Sequence, residues 1–224
     1  LWKPRVYQAL PESARAQAEF HKILRQHLVQ NHGYRLEGIH SLVNRKYSLT
    51  WDDPIADLWH CSLWIQEDIC LLENTGKEYV LTAASVCSPS NWNMPSKVGQ
   101  SVETLHNPVP GYKKGMSDRV NKLLSGLKPS KPLQRLNWSI QPGGELFWRS
   151  DVSNCEDNTE KYWRVERQTF IRLPDTKAIV FGIRVFLHSF SEMSRYPHFN
   201  QSIFEIIEAL PHVEAKYKNL SQTN

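Results

Sequence analysis

None of the four cysteines, Cys61, Cys70, Cys87 and Cys155, belongs to a C-x-x-C pair. The chain therefore lacks the spacing that structural zinc and iron–sulfur clusters require, and its thiols read as core residues. No apolar run approaches the roughly 18 residues of a membrane-spanning helix, and no signal peptide is visible. The sequence begins at Leu1 rather than Met, which leaves room for an upstream anchor. A cytoplasmic location is the expectation, with anchoring through a missing N-terminal segment as the alternative. G-x-S-x-G, P-loop, H-E-x-x-H and G-x-G-x-x-G patterns are all missing, so serine hydrolase, NTPase, zincin and Rossmann readings have no signature here. The 27 Lys and Arg stand against 23 Asp and Glu and are scattered, without the basic stripe of a nucleic-acid binder. There is no internal repeat and no low-complexity tract. N-x-S triplets at Asn137, Asn200 and Asn219 carry meaning only in a secreted protein and leave the compartment open.

What is present is a folding chain. A 40% hydrophobic share, 11% aromatics and eight tryptophans are too rich in large apolar groups for disorder. A length of 224 residues suits a single domain with a sizeable core. Apolar residues at three- and four-residue spacings predict a helix from Pro11 to Gln30, stopped by Gly33. A second helix is expected after Asp52 or Asp53 as cap, with Pro54 in its first turn, ending near Gln66. DICLLENTGKEYVLTAASVC reads as two strands joined at Asn74-Thr75-Gly76. Residues 113–133 read as a short helix and a connection, RLNWSIQP as a strand, and GGELFWRSDVSNCEDNTEK as a polar loop. YWRVERQTFIRLP and KAIVFGIRVFLHSF form a hairpin around Pro174-Asp175-Thr176, and QSIFEIIEAL is an amphipathic helix stopped by Pro211. Together these give an α+β architecture: an antiparallel sheet of about five strands with flanking helices and a pocket between the layers.

Among nine histidines, His106 stands out. Pro108 and Pro110 fix φ on its C-terminal side and push Asn107 and Val109 towards extended conformations. An imidazole held at a set angle suits an axial ligand to haem iron; the plainer reading is a loop shaped by Pro-Val-Pro with His106 bonded to a backbone carbonyl. In WRVERQTFIRLP, Arg164, Glu166 and Gln168 share one face of a strand and Val165, Arg167 and Thr169 the other. Arg172 follows, and Arg184 lies across the hairpin. These residues either build a cross-strand ladder of ion pairs on a solvated face or supply cations for the carboxylates of a bound cofactor.

Taken in order, IQEDICLL, the block from SPSNW to HNPVP, RLNW, WRVERQTFIRLP, AIVFGIRVF and YKNL resemble the haem-binding alpha subunit of haem-dependent oxidative N-demethylases, over roughly residues 50 to 220. The resemblance implies a PAS-like haem-binding domain spanning 1–224, with residues 1–50 as an N-terminal helical extension and 51–224 as the matching core. It implies haem b, reductive activation of O2, and oxidation of an N-methyl group on a small amine. Electrons would come from a separate reductase that carries the NADPH, FMN and 2Fe-2S chemistry. His106 takes the place of the motif histidine as iron ligand. Lys97 of SKVGQ, Arg135 of RLNW, Arg167 and Arg184 are the candidates for the haem propionates. Glu166 is the candidate for positioning a substrate ammonium, and Arg167 is also a candidate for substrate or oxygen handling. A haem-based PAS-like sensor or carrier without turnover is the alternative. The loop at 141–160 departs from the family pattern.

Overall fold

A computed structural model of the chain describes residues 3–38, 41–52, 55–112, 116–149, 151, 160–218 and 220. In chain order, α1 (Lys3–Val6) leads into β1 (Tyr7–Ala9) and α2 (Ala14–Asn31). The short strands β2 (Arg35–Glu37), β3 (Ser41–Asn44) and β4 (Leu49–Asp52) come next, then α3 (Leu58–Trp64) and the hairpin β5 (Asp68–Asn74) and β6 (Tyr79–Ser85). A helical middle contains α4 (Val102–Leu105) and α5 (Met116–Gly126). Three long strands follow, β7 (Leu133–Pro142), β8 (Lys161–Arg172) and β9 (Ile179–Ser189), and then α6 (Phe190–Met193), α7 (Phe199–Ala209) and α8 (His212–Tyr217).

The main sheet has six strands in the order β1-β6-β5-β9-β8-β7, and every pairing is antiparallel. Strands β2, β3 and β4 form a second, three-stranded sheet. The architecture is α+β as expected, but the N-terminal stretch is not only helical. It contributes β1 to the edge of the main sheet, and β2, β3 and the first half of β4 to the small one. Runs of three or four residues with mixed polarity, such as β2, in which every residue is exposed, carry no period-2 signal.

Local chemistry explains most boundaries. Asn74 Oδ1 accepts the Gly76 N–H at 2.7 Å, and Gly76 takes φ +89°, so the β5–β6 turn forms where Asn and Gly supply it. The second helix is shorter than expected and its cap differs. Asp57, not Asp52, accepts the His60 N–H at 2.9 Å, while Asp52 ends β4; Asp53 and Pro54 lie outside the described residues. Pro11 opens a 3-10 turn that runs into α2. Pro211 stops α7 as expected, but α8 starts one residue later, a position where Pro's missing N–H costs nothing.

The main sheet is covered on both faces. On one, α2, α3 and β3 pack Phe20, Leu24, Leu58, Cys61, Trp64 and Leu42 against Ile69, Leu71, Ala83 and Val180. On the other, Met94, Val102 and Leu124 from the helical middle pack on Cys70, Leu72, Ala84 and Ile179, with Phe170 and Phe181 stacked beside them. At the β7 end, α7 and α8 bring Ile207, Leu210 and Ala215 against Trp138 and Ile140. Buried Gln17 joins three elements: its Oε1 accepts the Tyr7 hydroxyl at 3.1 Å and the Leu58 N–H at 3.0 Å.

The β8–β9 turn is held from outside the sheet. Glu19 on α2 accepts the N–H groups of Asp175 (2.7 Å) and Thr176 (2.8 Å) and the Thr176 hydroxyl (2.5 Å). Partial burial works to raise its pKa, but these hydrogen bonds outweigh it and the carboxyl is held below its ordinary value. Glu19→Ala should therefore cost about 1–2 kcal/mol at neutral pH, read by urea unfolding. Because the folded pKa is depressed, this contribution is present above the unfolded pKa and is lost as pH falls through the folded one, so wild type and variant should converge in acid.

Candidate functional site

Register assigns side chains to the two faces of the sheet. Arg135, Gln168 and Ile183 are cross-strand partners, as are Asn137, Glu166 and Val185, and Ser139, Arg164 and Leu187. Cross-strand partners point the same way and alternate residues point oppositely, so these nine share one face. It is the face on which Phe170 and Phe181 meet Val102, Met94 and Leu105, called here the near face. Leu136, Arg167 and Arg184 form the intervening row, on the far face.

His106 lies on the near side. It closes the one-turn helix α4, whose N-cap Ser101 accepts the Thr104 N–H at 3.2 Å. The residues after it are turns: Asn107 N–H donates to Thr104 O, Val109 N–H to His106 O and Tyr112 N–H to Val109 O. Proline thus stiffens a hydrogen-bonded reversal here, where an extended run was expected. The imidazole stacks on Tyr112, with ring centres 4.6 Å apart and planes 12° apart. Its Nδ1 lies 2.7 Å from Val102 O. A carbonyl only accepts, so Nδ1 carries the proton and Nε2 carries the lone pair. Burial lowers the ring's pKa; the Val102 hydrogen bond works in the other direction, and the Arg135 cation adds to the lowering. The ring is kept neutral.

The near face also holds a buried polar chain. Arg164, 1% exposed, donates from Nε to Glu166 Oε1 (2.9 Å), from Nη1 to Gln141 Oε1 (3.2 Å) and from Nη2 to Ser88 O (2.6 Å). Glu166 Oε2 accepts Gln168 Nε2 at 2.9 Å and Asn137 Nδ2 at 3.4 Å. Gln168 Oε1 in turn accepts Arg135 Nε at 2.6 Å. Of the two readings open for this face, the solvated ladder does not hold: Arg164, Glu166 and Gln168 are all buried, and their polar atoms form an interior network. Asp68, 3% exposed, accepts the N–H groups of Cys87 (2.7 Å) and Ser88 (3.1 Å). Burial pushes its pKa up to about 7 against the lowering effect of those N–H groups and of Arg164.

The structure brings together His106, Arg135 and Glu166 on the near side. Lys97 is half-buried there too, closing the 3-10 turn Met94–Ser96, beside Gly99 at φ +90°, whose N–H donates to Leu81 O at 2.8 Å. Arg167 and Arg184 are not in this group. They occupy the far face, where Arg167 pairs with Glu67 at 3.1 Å, so the sheet stands between them and His106. A separate cavity of about 310 Å³, lined by Val6, Trp59, Ser62, Leu63, Cys87 and Phe147, shares no lining residue with the His106 group. Gln168, Asp68 and Tyr112 were not foreseen. Gln168 follows the motif arginine Arg167, and its position on the Glu166 face was the one available signal. Residues 150 and 152–159 of the 141–160 loop, Cys155 among them, lie outside the described residues, as does Asn219.

The family model "haem-dependent oxidative N-demethylase, alpha subunit-like" matches residues 3–224, and the chain belongs to that family. Among the described residues no helix is long and apolar enough to cross a membrane.

The raised pKa of Asp68 has a definite sign for stability. Between the ordinary carboxylate range and about pH 7, the folded state binds a proton that the unfolded state has lost, so stability falls as pH rises through that window. Asp68→Asn keeps an oxygen acceptor for Cys87 and Ser88 and removes the charge. It should flatten the decline between about pH 4 and pH 7, measured as urea midpoints at several pH values. An unchanged slope would assign the decline to other groups.

Proposed function

We propose that this chain is a PAS-like haem b domain supporting oxidative N-demethylation of a small amine. The amine's N-methyl group, O2, two electrons and two protons become the shorter amine, formaldehyde and water. The electrons come from a separate reductase, which carries the NADPH, FMN and 2Fe-2S chemistry. The hairpin β5–β6, the helical middle and the meander β7–β9, which returns to pair with β5, support the PAS-like reading. Family membership supports the haem and the reaction class.

The observation that carries the proposal is the tautomer of His106. With Nδ1–H committed to Val102 O, Nε2 is the one ring nitrogen with a lone pair, and an outer hydrogen bond of this kind orients a metal-binding imidazole. The rest of the donor set fits a haem as well. Arg135 donates from Nε to Gln168, and its terminal nitrogens have no hydrogen-bond partner among the described residues, so they suit a carboxylate. Lys97 is a second cation on the same side. Ile183, Val185 and Leu187, all half-buried on the near face, offer apolar surface. When bound, haem b supplies the iron at which O2 is reductively activated.

The chain's own residues do the rest. His106 would hold the iron through Nε2, and it stays neutral because burial and Arg135 oppose its protonation. Gln168 fixes Arg135: Glu166 can only accept, so it takes the amide's N–H and turns the amide oxygen to the guanidinium. Glu166, occupied by three donors, serves this orientation and not the capture of a substrate ammonium. Arg167 and Arg184, on the far face, are not part of the haem set.

His106→Ala is expected to lose tight hemin binding or give a weakly ligated Soret spectrum, while His188→Ala and His198→Ala bind as wild type. Arg135→Ala should weaken hemin affinity by about one to two powers of ten, the equivalent of a charge-assisted pair of roughly 1.5–3 kcal/mol. An unchanged Soret maximum and haem content in His106→Ala would move the ligand elsewhere. A panel of N-methyl amines assayed for formaldehyde, with reductase and NADPH, tests the reaction. Reduced haem that holds O2 without turnover would favour the sensor or carrier reading.

A further inference from the structure

The far face carries a feature that the haem site leaves unexplained. Arg167 and Arg184 are direct cross-strand partners, and like charges placed opposite one another destabilise a sheet. Glu67 neutralises one of them. Arg184 meets the Phe186 ring at 5.6 Å and has no carboxylate partner among the described residues. The Nε of Arg167 is buried with no hydrogen-bond partner. Beside this pair, Leu136 is 68% exposed and Phe186 38%. Two cations with one anion, framed by bare apolar surface, form an incomplete contact.

The band is bounded on both sides. Towards the start of β8, α7 covers the sheet, with Phe199 against Trp163, which stacks on Trp138. Towards the end of β8, Ile171 and Val180 are covered by the core that contains α2 and α3. Between them run Val165, Arg167 and Thr169, all half-buried. Four residues of strand span about 13 Å, and a helix with its side chains is about 10–12 Å across. The gap is therefore one helix wide, with a basic, apolar floor.

The chain itself carries a helix of the complementary kind. Helix α7 buries Ile203 and turns outward Phe204, 60% exposed, and Ile206, 41% exposed. Glu205 and Glu208 are exposed beside them. Phe204 and Glu208 are four residues apart and Glu205 and Glu208 three, so these side chains lie on one stripe. Because α7 borders the band on the same face of the sheet, a two-fold axis lets each copy lay α7 in the other's band, giving an isologous contact.

We infer that the far face is a self-association surface, with Glu205 and Glu208 of one copy meeting Arg184 and Arg167 of the other while Phe204 covers Leu136 and Phe186. The contact does not involve the haem site, and it can be tested with or without haem.

The test is sedimentation and light scattering of the full chain at rising concentration, in low and high salt. The expected species has twice the 26.0 kDa mass of the chain and dissociates more readily in high salt. Arg184→Glu and Glu208→Arg, each alone, should weaken association by about tenfold or more, because each reversal sets like charges face to face. The double variant Arg184→Glu with Glu208→Arg should restore it. Glu208 is exposed on α7, so Glu208→Arg reads the contact even if Arg184→Glu does not fold. A chain that stays monomeric, a dimer indifferent to salt and to both reversals, or a double variant that fails to recover would each overturn the assignment.

Discussion

Burial of the Arg164 guanidinium is the constraint around which the near face is organised. Taking a charge of that size out of water costs several kcal/mol unless every donor is answered. Here each nitrogen has a partner, and the partners come from three parts of the chain: Glu166 on its own strand, Gln141 at the end of β7, and the Ser88 carbonyl beyond β6. Asp68 fixes the same short segment from the other side by accepting the N–H groups of Cys87 and Ser88. One buried cation and one buried carboxyl thus hold the point where the chain leaves the sheet to build the helical middle, and His106 stands eighteen residues further along that excursion. Removing either partner would leave an unanswered buried group and not merely one bond fewer.

A helical reading would have placed Arg164 and Arg167 on the same side, since residues three apart share a helix face. On a strand they point to opposite faces. That single change of period separates the two arginines into different roles. Arg164 is interior and structural, whereas Arg167 faces outward beside Glu67. It also explains why RLNW and WRVERQ, adjacent through the β7–β8 pairing, deliver Arg135 to the His106 side but not Arg167 or Arg184. The motif arginines could all be seen in the sequence. Their faces could not, because they depend on which side the helical middle covers.

Elements with a strong period were legible: α2, the β5–β6 hairpin with Asn-Thr-Gly at its turn, the β8–β9 hairpin and α7. The three-stranded sheet was not, because its strands are three or four residues long and β2 is wholly exposed, so no alternation could mark them. The cap of α3 was displaced for a related reason. Asp52, Asp53 and Asp57 all precede the apolar run, and the β3–β4 pairing that ends at Asp52 is a contact between segments. His106 was legible as a stiff imidazole, but its stiffness was assigned to proline alone. Ser101 capping a single helical turn, with the ring bonded back to the Val102 carbonyl, does as much to set its angle.

The polar chain and the imidazole depend on each other through Arg135. A cation beside His106 makes protonation of the ring harder, which widens the pH range over which the Nε2 lone pair is available. A mobile guanidinium would spread that influence over many positions and into solvent. Gln168 confines it. Its amide has one orientation, because Glu166 offers only acceptors and is itself held by Arg164. The order of control runs from the buried Arg164, through two side chains of the same strand, to a cation on the neighbouring strand and then to a histidine on a different layer. Each link as far as Arg135 is a hydrogen bond whose donor and acceptor cannot be exchanged, and the last, from Arg135 to His106, acts through charge alone, so the direction of the chain is set by chemistry and its length by the two-residue spacing of a single strand face.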